Sequence, residues 1–194
     1  INSAVDDFCP TPVRGNGLLF VSRREPGSCG TNDSDMYFAR RNPKHGWSEP
    51  THLGCASDGP NTVADEMGPS YYEVDGQGFL YYSSGADIFV SEELGDGTFG
   101  PGQAVTELNS SSSDIQPNVR KDGREIVFAS NRAGTLGGQD VWTASRNDAD
   151  DPWSTPVNLG SAVNTAARPR APRRGGRSRA RMVGKASSGF TRPG

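Results

Sequence analysis

One pattern recurs through most of this 194-residue chain at intervals of about 50 residues, and it fixes what the chain can fold into. Each copy opens with an acid three residues before a proline: Asp7 to Pro10, Glu66 to Pro69, Asp114 to Pro117. A glycine turn follows, then an apolar run ending in serine: "LLFVS" at Ser22, "FLYYS" at Ser83, "EIVFAS" at Ser130. A variable loop leads to an aspartate that starts a second run: "DMYFARR" from Asp35, "DIFVSEE" from Asp87, "DVWTASR" from Asp140. An aromatic comes 12 or 13 residues later, at Trp47, Phe99 and Trp153, and two copies close almost identically, "WSEPTHLG" and "WSTPVNLG".

The runs are short, rich in β-branched and aromatic residues, and bounded by Gly, Asp, Asn and Pro, which are strand and turn signals. Asp-Gly at 75–76 and 122–123 suits tight hairpins, where glycine supplies a positive φ. Only 32 % of the residues are hydrophobic while Gly numbers 25 and Pro 14, a mix that argues for many short strands and against a helical bundle. Nothing carries helical periodicity over the ten or so residues a helix needs. Each copy is therefore expected to be a small antiparallel sheet of about four strands. Such a sheet cannot bury both faces alone, so neighbours must stack, and a ring of stacked sheets is an all-β propeller.

The segment "DIQPNVRKDGREIVFASNR…QDVWTASR" resembles the TolB-like, WD-like propeller repeat of exported bacterial proteins, and "WSTPVNLGSAVNT" is similar to its inter-blade connector. The resemblance divides residues 1–167 into blades 6–64, 65–112 and 113–167. It implies a periplasmic or secreted protein of a functionally mixed family. No leader precedes Ile1, and a start without Met suggests a processed or excerpted chain. No run reaches the roughly 18–20 apolar residues of a membrane-spanning helix.

Residues 166–194 depart from the pattern. They hold nine Lys/Arg and no acid, whereas the preceding 165 residues hold eleven Lys/Arg against 23 acids. Where a fourth repeat should begin, the sequence reads "RPRAPRRGGRSRARMVGK". Residues 168–194 are read as a frame-shifted remnant of a further blade or as a basic, disordered tail. Nucleic-acid binding is not expected, because Phe190 is its one aromatic and single-strand binders interleave aromatics with cations.

Three cysteines, Cys9, Cys29 and Cys55, show no CxxC spacing, and zinc would have to recruit His45 or His52. No metal or other cofactor is expected. A Cys29–Cys55 disulfide is the better reading for an exported protein, since both residues fall in loops of the first repeat; the alternative is three reduced thiols. No G-x-S-x-G elbow or phosphate loop occurs, and "TNDSD" at 31–35 lacks the spacing of an EF-hand.

Asp7, Asp65, Glu66 and Asp114 precede the strand that lies innermost in a propeller, so with Arg120 they form the candidate ligand-binding group at the channel mouth. Asp35, Asp87 and Asp140 are read as fixing blade geometry, and Trp47 and Trp153 as packing between blades. The first functional expectation is a non-catalytic module that binds a protein or carbohydrate partner. The alternative is a glycoside-acting hydrolase using carboxylates at the channel mouth, which needs a pair held about 5–10 Å apart.

Overall fold

A computed structural model describes residues 1–24, 29–31 and 33–166, and the expectations for the basic segment 168–194 lie outside the described residues. The described residues form three antiparallel sheets and no helix. The first contains β1 (Asp7–Val13), β2 (Gly17–Ser22), β3 (Asp35–Asn42), β4 (Gly46–Trp47) and β5 (Thr51–His52); β4 and β5 both pair with β3. The second contains β6 (Glu66–Val74), β7 (Gln77–Ser84), β8 (Asp87–Gly95), β9 (Thr98–Phe99) and β10 (Gln103–Ala104). The third contains β11 (Asp114–Val119), β12 (Glu125–Ser130), β13 (Asp140–Ser145) and β14 (Val157–Asn158). Two of the three sheets thus carry five strands where four were expected, because their outer edge is split into two short pieces.

Register ties each opening acid to a serine on the next strand: Asp7 opposite Ser22, Glu66 opposite Ser84, Asp114 opposite Ser130. The repeat serine of the second sheet is therefore Ser84, one residue beyond the Ser83 that the apolar run suggested. Asp75 and Gly76 both have positive φ in the two-residue hairpin between Val74 and Gln77, the geometry the Asp-Gly pair favours.

Alternation along the second strands sends side chains to two neighbouring sheets. Leu19 and Val21 of the first sheet pack with Leu80 and Tyr82 of the second around Met36, Phe38 and Phe99. Tyr81 of the second packs with Ile126, Phe128 and Trp142 of the third. Trp153 joins that core, its indole N–H donating to Tyr81 at 3.2 Å and Arg146 stacking on it at 4.2 Å. Trp47, expected to pack likewise, is 42 % exposed, whereas Phe99, at the same place in the second sheet, is buried.

The inner strands β1, β6 and β11 lie side by side, and each carries a bulge at its third residue. That residue has positive φ in all three: Cys9, Gly68 and Gln116. At Gly68 a side chain is also sterically excluded, since a Cβ there would stand 2.8 Å from the Gln116 Cα.

An unanticipated contact ties the connector that leaves each sheet back to that sheet's third strand. The amide of Asn61 accepts the Met36 N–H and donates to the Met36 carbonyl; Asn109 does the same to Ile88, and Asn164 to Val141. Each target follows the aspartate that starts the third strand. Replacing Asn109 by Ala should cost about 2 kcal/mol, because the Ile88 N–H loses its acceptor inside the fold, while the Ile88 carbonyl keeps the Val105 N–H at 2.9 Å. Urea melts showing a loss below about 0.5 kcal/mol would mean that this N–H finds another partner.

Candidate functional site

The repeated acids head the three inner strands and so share one rim, but their carboxylates do not converge. Each is bound within the turn of its own sheet. Asp7 accepts the Ser3 N–H at 2.6 Å and its hydroxyl at 2.9 Å, and pairs with Arg24 at 2.6 Å. Asp114 accepts the same two groups from Ser110, at 2.6 and 2.7 Å, and pairs with Arg132. Burial opposes ionisation at both acids. At Asp7 the bonds from Ser3, Ser22 and Arg24 outweigh it, as those from Ser130, Arg132 and Ser110 do at Asp114, and both carboxyls lie below their ordinary range. Each arginine also lies over a cross-strand aromatic pair, Arg24 on Phe20 and Tyr37, Arg132 on Phe128 and Trp142.

Glu66 breaks this rule. Its Oε1 accepts from Thr62 at 2.8 Å and Ser84 at 2.7 Å, yet two residues beyond Ser84 stands Ala86 instead of arginine. Fully buried and without a cation, the carboxyl is pushed up to about 8, chiefly by desolvation and against the hydrogen bonds from Ser84 and Thr62, with the neighbouring Asp35 raising it further. Glu66 Oε2 and Asp35 Oδ1 are both buried, and neither meets a hydrogen-bond donor.

Asp65, the residue before Glu66, is exposed. Only its Oδ1 is engaged, by the Ser34 N–H and hydroxyl at 3.0 and 2.7 Å, with Arg23 3.6 Å away. Asp6 occupies the equivalent place before Asp7 and is also exposed; the Asp6 carbonyl accepts from Arg23 as the Asp65 carbonyl does from Gly85. The doublets "DD" at 6–7 and "DE" at 65–66 thus divide labour, the second acid bound into its own turn, the first open to water. Asp6 was not singled out in the sequence, though the doublet was there to find.

Arg120 stands elsewhere. It follows the last residue of β11, the end opposite Asp114, and pairs on the surface with Asp122 and Glu125 at 2.8 and 2.6 Å. A six-residue strand spans about 20 Å, so Arg120 does not belong to the acid rim. Cys29 and Cys55 are joined in a disulfide, with Cα atoms 5.6 Å apart, and Cys9 is free.

No protein-family model matches the chain, and no curated protein matches it. Solved structures do. A xylan β-1,4-xylosidase from Bacillus halodurans is similar at a TM-score of 0.51 and 19 % identity, over 78 % of this chain and 30 % of that one. An α-L-arabinofuranosidase from Lactobacillus brevis matches at 0.51 and 19 %, over 87 % of this chain and 60 % of its own. A third, an α-L-arabinofuranosidase from Podospora anserina in complex with cellotriose, matches at 0.53 and 10 %, over 84 % and 52 %.

The fold is a β-propeller. The chain spans about 30–60 % of the length of these neighbours. The TolB-like, WD-like assignment is not supported, since the similar solved structures are xylosidases and arabinofuranosidases. The non-catalytic binding-module reading is likewise corrected, since the similar folds belong to glycosidases. No helix among the described residues is long and apolar enough to cross a membrane.

The raised Glu66 carboxyl makes stability depend on pH in a defined direction. Between the ordinary value of 4.5 and about 8, the folded protein keeps a proton that the unfolded chain releases, so stability falls as pH rises through that window. Asp114 acts oppositely: its stabilisation is present above the ordinary value of 3.8 and lost as pH falls below it. Urea midpoints at about pH 5 and about pH 8 should differ in the parent protein and converge in Glu66→Gln. An unchanged difference in the variant would assign the titration to another group.

Proposed function

We propose that these blades belong to an exported glycoside-acting hydrolase whose ligand is a carbohydrate, with Asp6 and Asp65 as the carboxylates offered to substrate at the inner-strand rim. The observation that supports this most is the fold similarity to xylosidases and arabinofuranosidases across most of the chain. The second support is chemical. Hydrolysis of a glycosidic bond needs one carboxyl to protonate the leaving oxygen and another to activate water or attack the sugar. Asp7 and Asp114 are locked to arginines and Glu66 is enclosed, so none of them can meet a substrate. Asp6 and Asp65 are exposed, and the Oδ2 of Asp65 is left to meet one, since Ser34 and Arg23 engage its Oδ1. A disulfide in the first blade fits an oxidising compartment.

In this reading residues 6–64, 65–112 and 113–167 are successive blades, and the buried acids hold the rim on which the exposed ones stand. Asp65→Asn and Asp6→Asn should each lower release of nitrophenol from aryl arabinofuranosides or xylosides by at least about 100-fold, with the sheet circular dichroism unchanged. A protein that binds xylo-oligosaccharides but turns none over, or one indifferent to both substitutions, would end the proposal.

A further inference from the structure

The loop closing the first sheet gathers four ligand-type side chains that the glycosidase reading does not use. One ligand atom each of Cys29, His52 and Cys55 lie within 4.8 Å of one another, although nothing in their spacing along the chain announced it. His52 Nε2 stands 3.9 Å from Cys29 Sγ and 3.2 Å from Asp35 Oδ2. That same oxygen accepts the Cys29 N–H at 3.0 Å, so the wholly buried Asp35 carboxylate is aimed into the cluster. The three other residues are half-buried and open to solutes.

We propose that, once the disulfide is reduced, Cys29 Sγ, Cys55 Sγ, His52 Nε2 and Asp35 Oδ2 form a tetrahedral zinc site. Two thiolates, an imidazole and a carboxylate are all ordinary zinc donors, and soft thiolates select zinc over calcium or magnesium. A dithiol reductant cleaves the S–S bond and is itself oxidised to a disulfide, leaving two thiols. Zinc then displaces both thiol protons to solvent. The sulfurs need part only to about 3.8 Å, the spacing set by Zn–S bonds of ~2.3 Å in a tetrahedron. The blade-1 loop is thereby closed in either redox state, by a covalent bond or by a metal.

His52 binds at some cost. The Gly54 N–H donates to its Nδ1 at 3.1 Å, and the Asn61 Nδ2 stands 3.1 Å from its Nε2. Zinc on Nε2 displaces Asn61 and leaves the ring proton on Nδ1, so Gly54 gives up its acceptor. The thiolates are therefore indispensable, whereas losing the imidazole weakens the site.

The probe is Co²⁺ added to the reduced full chain in a Cys9→Ser background, which removes the one free thiol. Expected are thiolate-to-cobalt charge-transfer bands and intense tetrahedral d–d bands at one equivalent, erased by one equivalent of Zn²⁺. Unreduced protein should show neither, Cys55→Ser should abolish the charge-transfer signal, and His52→Gln should weaken zinc at least about tenfold. If reduction unfolds the chain, zinc alone should restore the sheet circular dichroism. Folded, reduced protein without these bands, bands that survive Cys55→Ser, or unfolding that zinc does not reverse would each overturn the site.

Discussion

The structure depends on a clasp of two consecutive residues at each junction between sheets. An asparagine imitates a peptide group and pairs with the backbone that starts the third strand of one sheet. The Ser or Thr that follows it binds the acid heading the inner strand of the next: Thr62 to Glu66, Ser110 to Asp114. Apolar stacking between sheets is strong but indifferent to sliding. The clasp is directional, so it sets where one blade stops and the next begins. Ser3 and Asp7 repeat its second half, and Asn164 repeats its first.

This explains how much of the fold was legible in the sequence. The strand runs, the Asp-Gly hairpins and the acid-to-proline spacing are local signals, and each maps onto a strand or a turn. The Asn-Ser/Thr pairs at 2–3, 61–62, 109–110 and 164–165 recur just as regularly but lie in loops, where polar residues pass for solvent-facing filler. Trp47 misled for the converse reason. It matches Trp153 in the repeat, but burial there depends on the facing sheet, and Trp153 finds Tyr81 and Arg146 where Trp47 finds solvent. The Cys29–Cys55 pair was legible in the sequence, but the approach of His52 and Asp35 to it was not, because the residues that meet there lie up to 26 positions apart along the chain.

Departures from the repeat carry more information than the repeat. Arg24 and Arg132 each neutralise the inner acid and cap an aromatic pair, which explains "SRR" and "SNR" two residues after the strand serine. At the equivalent place the second sheet has Ala86, next to the stacked pair Tyr82–Phe89. Its acid is a glutamate next to Asp35 of the preceding sheet, and burial raises its carboxyl where arginines lower those of its counterparts. Where the first and third sheets hold an ion pair, the second buries an acid whose protonation responds to pH.

The bulged inner strands fix how closely the three sheets approach one another. Left-handed residues at Cys9, Gly68 and Gln116 turn the strands so closely together that position 68 admits no side chain. The Thr11 hydroxyl donates to the Pro69 carbonyl at 2.5 Å, stitching the first inner strand to the second, and the Ser70 hydroxyl accepts the Val119 N–H at 2.9 Å, stitching the second to the third. Non-glycine residues held in that region store strain, and bulges of this kind re-aim the side chains beside them. Bound so tightly along their length, the inner strands keep their heads in fixed positions. Two exposed aspartates stand there, Asp6 and Asp65, each one residue before an acid held in its own turn. That acid fixes the strand, and the strand presents its exposed neighbour.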